Sequence, residues 1–202
     1  MVSYGVKDLF TSIPVDIVID LVEEQLTTDL DLKNKTPFSM TSILKLLRIS
    51  LIGFNYFQFN GELYRQYKGI PVGSPLSPAL ADIFMEHLEY LAYPTFFKRY
   101  VDDIVALCKN GTETPFLKHL NSLLPSLIVF AIEKEQNGTL PFLDVRIRHQ
   151  QQGYLTSVFR KKTHTDKYLH HSSNRSDCVK KGIASTLLQR DRKICTTDYD
   201  FR

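Results

Sequence analysis

The spacing of apolar and polar positions changes period several times along the chain, and each change marks an element. Residues 3–10 (SYGVKDLF) alternate loosely, as a short strand does. Pro14 suits a first helical turn, and 15–26 (VDIVIDLVEEQL) has helical apolar spacing with Asp16 near the positive end. A second helix is predicted over 41–52. The sharpest local signal is YFQF-NG-ELYRQ at 56–66, where Asn60-Gly61 between two alternating aromatic runs predicts a two-residue hairpin. The Gly/Pro-rich loop GIPVGSPLSP (69–78) follows, and Ser77-Pro78, read as an N-cap and first-turn proline, launches a helix to about Leu91. After KRYVDDIVALCK (98–109) come a helix over 115–124, three strands (IVFAIEKE, LPFLDVRIRH and YLTSVFRK) separated by QNG and QQG turns, and a last helix around 178–194. Strands and helices mix without strict βαβ alternation, so the predicted class is α+β, a mostly antiparallel sheet packed on helices.

Composition narrows the setting. The 202 residues are 43% hydrophobic, enough for one core of ordinary size. No apolar stretch approaches the roughly 20 residues that span a bilayer, and MVSYGVKD is not a signal peptide, so an intracellular chain with no membrane partner is expected. Cys108, Cys178 and Cys195 are an odd number without a CxxC pair and imply neither a disulfide framework nor a zinc ribbon. The N-x-S/T matches at Asn110, Asn137 and Asn174 read as turns or loop, not as glycosylation sites. Oligomeric state is not legible.

Charge changes the picture more. The net +3 hides an asymmetry: residues 1–145 carry 12 Lys/Arg against 17 Asp/Glu, whereas 146–195 carry 12 Lys/Arg against Asp166, Asp177 and Asp191. The basic block is interleaved with Tyr154, Phe159, Tyr168 and four histidines, the footprint of a surface that follows a phosphate backbone. Taken alone, such a run is also what a solvated face looks like. His164, His170, His171 and Cys178 fit no standard zinc spacing and read as part of that basic face or as loop residues.

The candidate chemistry lies in YVDD. Asp102 and Asp103 interrupt a run of strand formers, and two adjacent anions there are costly unless compensated. Read as a hairpin with its turn at Asp102-Asp103, the pair is either a polar turn or a carboxylate pair offset by divalent cations, since Mg²⁺ takes one or two carboxylates with water and phosphate oxygens.

Three segments in order, SYGVKDLFTSIP, GIPVGSPLSP and YVDD, resemble motifs A, B and C of a reverse transcriptase palm. With QYKGIPVGSPLSPALADIFMEHLE (66–89), GTLPFLDVRIR (138–148) and YLTSVFRKKTHTDKYL (154–169), the chain resembles the reverse transcriptases of Penelope-like retroelements, relatives of telomerase. The resemblance implies a palm over 1–150, then a primer-grip-like hairpin, basic segment and partial thumb over 151–202. It implies RNA-directed DNA polymerisation with an RNA template, a DNA primer and deoxynucleoside triphosphates, in nucleus or cytoplasm. Asp102 and Asp103 would ligate two Mg²⁺ ions that activate the primer hydroxyl and hold the triphosphate. Gly69, Gly73 and Ser74, with Ser77 as a further local hydrogen-bonder, would approach the incoming nucleotide, and Phe10 would block a ribose 2′-hydroxyl. Arg160, Lys161, Lys162 and Lys167 fall where the family grips the primer backbone; Lys134 is a weaker candidate for protonating pyrophosphate.

Two departures accompany the resemblance. Aligning Leu9-Phe10 with motif A puts the family's aspartate at position 5, which is glycine, and Asp8, three residues further along the expected strand, points the other way. By analogy with a lost transition-state donor, the missing carboxylate costs at least about 3 kcal/mol, roughly a hundredfold in rate. Met1 also falls almost on motif A, so a fragment without the fingers segment is expected. The implied activity is therefore weakened or lost. The alternative is a non-catalytic nucleic-acid-binding remnant that uses the 146–195 face.

Overall fold

Burial along β1 (Val2–Val6) alternates strictly: Val2, Tyr4 and Val6 are buried, while Ser3 and Gly5 face the other side. The computed structural model describes residues 1–53, 55–92, 97–151, 153–165, 167–170 and 172–197, and β1 lies inside a four-stranded sheet of order β4-β5-β1-β6. Its neighbours are β4 (Phe97–Tyr100), β5 (Asp103–Ala106) and β6 (Phe130–Lys134). Period two recurs in β5, where Ile104 and Ala106 are buried and Asp103 and Val105 are not. One face of the sheet is therefore apolar, and the other carries Gly5 and Asp103. The apolar face meets α5 (Ser77–Ala92), whose buried Leu80, Ala81, Phe84, Met85 and Leu88 recur at helical spacing. Met85 and Leu88, with Ile104, Phe130, and Phe116 and Leu120 of α6 (Glu113–Leu123), close around a small apolar cavity. Removing a side chain such as Phe84 from water contributes about 1.5–3 kcal/mol.

The described residues form two compact units, Tyr4–Ile132, and Met1–Ser3 with Glu133–Arg202. In the first unit the strand predicted over 3–10 stops at Val6. Asp8 turns into the left-handed region (φ 50°), and Leu9–Ser12 form a short helix, α1. Leu9 can then be buried one helical turn from Ile13, which a continued strand would not allow. Pro14 is the cap of α2 (Val15–Thr28), one position before its expected place, because its ψ of 122° is still extended. A short α3 (Leu32–Lys35) was not predicted. The helix predicted over 41–52 is α4 (Met40–Arg48), capped by the Ser39 hydroxyl, which accepts from Ser42 N; it continues as one wider π turn, Ile49–Gly53. The Asn-Gly hairpin forms as predicted: β2 (Tyr56–Phe59) pairs with β3 (Glu62–Arg65) around Asn60 and Gly61, both at positive φ. Its alternation does not produce an inside and an outside, since Tyr56, Phe57, Phe59, Leu63 and Tyr64 are all exposed.

The second unit contains an antiparallel sheet of β7 (Thr139–Phe142), β8 (Val145–Gln150) and β9 (Gly153–Val158). The strand predicted through LPFLDVRIRH is thus two strands. Leu143 takes φ 54°, so Leu143-Asp144 make a two-residue turn that pairs Phe142 with Val145. The Asp144 carbonyl then accepts from Phe159 N at 2.7 Å. The last helix, α7 (Asp177–Ile194), is tied at its end to β9: Thr156 N donates to Thr196 Oγ1 at 2.8 Å, and the Thr156 hydroxyl donates to the Ile194 carbonyl. Among the described residues no helix is long and apolar enough to cross a membrane.

Candidate active site

The register of β4 and β5 places the YVDD turn. Tyr100 pairs with Asp103, so the turn residues are Val101 and Asp102, one step earlier than the Asp102-Asp103 turn expected. Asp103 is thereby the first residue of a strand, and strand alternation aims it at the open face. Val101 adopts φ 56°, a region that costs a β-branched residue about 1–3 kcal/mol. The turn is fastened to the end of β1 by Val6 N, which donates to the Asp102 carbonyl at 3.0 Å.

Gly5 lies on the same face. A Cβ on Gly5 would sit 3.1 Å from Asp103 Oδ1, so the backbone of position 5 adjoins the carboxylate pair although it adds no donor to it. Asp8 is excluded for a reason other than the one expected: it caps α1 and is not on the strand at all. Its carbonyl accepts from Ser12 N and from the Thr11 hydroxyl, both at 3.0 Å.

The 69–78 loop seats on α1. Ile70 N donates to the Phe10 carbonyl at 2.7 Å, and Gly69, at φ 74°, packs so closely that a Cβ there would lie 2.3 Å from that carbonyl oxygen. Only glycine permits both the φ and the approach. Phe10 is half-buried, on a helix and not on a strand. Gly73 is exposed at φ 90° with nothing within 4 Å of a built Cβ. The Ser74 hydroxyl accepts from Leu76 N at 3.3 Å, a turn within the loop ahead of α5, and Ser77 is not the cap expected. Ser77 is instead buried as the first residue of α5, its hydroxyl donating to the Pro71 carbonyl.

Arg99 was missed from the sequence, where it reads as one more basic residue before the aspartates. Its side chain is 11% exposed and donates to Glu89 through Nε and to Asp82 through Nη1 at 2.7 Å, both on α5. Nη1 also donates to the Val101 carbonyl at 3.3 Å. Burial works against its charge, but the two carboxylates outweigh burial and leave its pKa raised.

The profile of the family described as reverse transcriptase (RNA-dependent DNA polymerase) matches residues 3–135. The chain belongs to the reverse transcriptase family. A search of curated proteins found no match. Among solved structures, telomerase from Candida albicans in complex with the TWJ fragment of telomeric RNA aligns with a TM-score of 0.60 at 14% identity, over 94% of this chain and 34% of that one. Apo telomerase from Candida tropicalis, truncated from the C-terminal domain, aligns with a TM-score of 0.53 at 14% identity, over 73% of this chain and 33% of that one. At such identity the likeness establishes the fold, α+β as expected. The chain spans about a third of those chains.

Reverse transcriptases use divalent metal ions, and the donors present can be compared with that need. Asp102 and Asp103 supply two carboxylates, position 5 supplies none, and among the described residues no group of three His, Cys, Asp or Glu converges. This set does not fit the two-ion centre that the motif resemblance implied.

The basic candidates of this reverse transcriptase chain lie in the second unit. Arg160, Lys161, Lys162 and Lys167 are all exposed. Arg160 donates to the Tyr168 hydroxyl at 2.6 Å, and both groups contact His164 Nε2, at 3.2 and 3.3 Å, while Asp191 of α7 is 3.8 Å away. Arg146 stands over the Phe159 ring at 5.6 Å. Lys134 is exposed at the end of β6, and it too has an interaction partner. His170 pairs with Ser172 at 2.6 Å and Cys178 is exposed. Asp166 and His171 lie outside the described residues.

Proposed function

We propose that this chain is the palm-region part of a retroelement reverse transcriptase of Penelope-like type. On this reading, nucleotidyl transfer is weakened or absent, and primer–template binding is retained. The observation that carries the reading is the placement of position 5. It stands on the open face beside Asp103, where a third carboxylate would complete the motif, and it holds glycine. The lesion is chemical, and the scaffold around it is in place: β1, the tethered YVDD turn and the docked 69–78 loop.

The remaining assignments rest on this reading. Residues 1–150 are the palm, and 151–202 hold the primer-grip-like hairpin, the basic segment and the start of a thumb. Asp102 and Asp103 are the two catalytic carboxylates that remain of the family's Mg²⁺ site, which Gly5 leaves one donor short. The Phe10 ring screens a ribose 2′-hydroxyl, while Gly69, Gly73 and Ser74 shape the floor beneath an incoming deoxynucleoside triphosphate. Arg160, Lys161, Lys162 and Lys167 contact the phosphates of an RNA template and DNA primer, in nucleus or cytoplasm. A second reading, a non-catalytic nucleic-acid-binding protein, is favoured by the twelve basic residues of 146–195 and shares the same binding surface.

The test is primer extension on an RNA template with Mg²⁺, comparing the chain as it stands with Gly5→Asp. The expected result is little or no extension by the former and a gain of roughly a hundredfold or more in the latter. Robust extension by the unaltered chain would overturn the assignment of Gly5 as the lesion. Duplex binding by both proteins without extension by either would favour the second reading.

A further inference from the structure

We propose that Arg99 is the positioning residue that holds the YVDD turn in its strained shape and so sets the directions of Asp102 and Asp103. The inference rests on the reading of that pair as the catalytic carboxylates. Three observations converge. Val101 sits at φ 56°, which an isolated β-branched residue avoids, so something outside the turn must hold it there. The Val101 carbonyl accepts from Arg99 Nη1 at 3.3 Å. That guanidinium cannot wander, since its side chain is 11% exposed and is gripped by Glu89 and by Asp82, at 2.7 Å, on the core helix α5. A planar fork with several fixed donors can serve two carboxylates and a carbonyl at once, which an ammonium cannot do in the same geometry. The active-site turn is thus referenced to α5, the most deeply packed helix, through one side chain. The tie from Val6 N to the Asp102 carbonyl fixes the other end.

A merely structural ion pair between Arg99 and α5 would stabilise the fold to the same extent whatever residue stands at 101. A clamp on a strained turn would not, because losing it lets Val101 relax and returns part of the strain, whereas glycine accepts φ 56° without a Cβ penalty and has none to return. The test is a double-mutant cycle of Arg99→Ala and Val101→Gly, read by urea unfolding and by the backbone amide resonances of Asp102 and Asp103. In the unaltered chain, Arg99→Ala is expected to raise the unfolding constant and to displace both aspartate resonances. In the Val101→Gly background, where no strain is released to offset the loss, the rise should be roughly tenfold larger. Arg99→Lys, which keeps charge near Glu89 without the fork, should fall between. It stands in for Arg99→Ala, with Glu89→Gln beside it, if the alanine variant does not fold. An additive cycle, or aspartate resonances unmoved by loss of the guanidinium, would overturn the clamp. Neither readout uses nucleic acid. A protein that fails to bind duplex while showing the coupling loses the polymerase reading and keeps the clamp; duplex binding with an additive cycle does the reverse.

Discussion

Gly69 and Gly73 belong to the same loop and have similar φ values, yet they carry different burdens. Around Gly73 there is open space, so alanine there meets only the backbone preference, about 1 kcal/mol. At Gly69 the new Cβ would fall 2.3 Å from the Phe10 carbonyl oxygen and 2.4 Å from Thr11 Cα, and backbone must move. We expect Gly69→Ala to lose more than about 2 kcal/mol and Gly73→Ala about half that or less, measured by thermal or urea unfolding. Equal losses would show that the loop does not depend on its seat against α1. From the sequence the two glycines are indistinguishable, since the contact that separates them joins residues some sixty positions apart. Asp102 and Asp103 stood out as candidates because two anions inside a strand pattern are costly, and the motif resemblance, not the pair alone, pointed to catalysis. Arg99 did not stand out, because a basic residue before an acidic pair signals nothing until α5 is seen to supply Glu89 and Asp82.

At the scale of elements, Tyr4 shows how β1 and α6 are joined. Its ring is fully buried and meets Phe116 edge-on at 5.4 Å; its hydroxyl donates to the Glu113 carbonyl at 3.1 Å and lies 3.7 Å from Cys108 Sγ. Burial, with the Cys108 contact adding to it, raises the phenol well above its ordinary 10.0. The folded state therefore holds this proton more tightly than the unfolded chain. The contribution is complete below pH about 10 and is lost as pH rises beyond it. Tyr4→Phe is expected to cost about 1 kcal/mol at neutral pH and to flatten the alkaline limb of a stability-against-pH curve. An alkaline limb unchanged by the substitution would place the titration elsewhere. Period and punctuation in the sequence marked most elements, the Asn-Gly hairpin and α5 most clearly. They failed at 3–10, where tertiary burial of Leu9 ended the strand. They failed again at LPFLDVRIRH, where a turn at Leu143-Asp144 carries no glycine to announce it.

For the whole molecule, the charge division of the sequence sets the expected behaviour toward nucleic acid. On the proposed function, an acidic stretch over 1–145 and a basic block over 146–195 would draw phosphate contacts mainly from the latter. Binding to a primer–template duplex should fall steeply with salt, and reversing Arg160, Lys161 and Lys162 to Glu should lower the slope of log affinity against log salt by about 0.9 for each phosphate contact removed. Fluorescence anisotropy across a salt series checks this, and an unchanged slope would mean that the duplex sits on another surface. The charge block and the α+β class were readable from sequence alone. The division between residues 132 and 133 was not, because it falls inside the strand β6 and follows no shift of composition.

The glycine beside Asp103 also has a consequence for inheritance. On the proposed reading, the backbone of β1 stands where a third carboxylate would complete the motif, and the atom nearest to a new Cβ is a side-chain oxygen of Asp103, 3.1 Å away. Two of the four glycine codons become aspartate codons by a single transition at the middle base. A lineage carrying either codon would be one point mutation from the aspartate that the proposed reading finds missing.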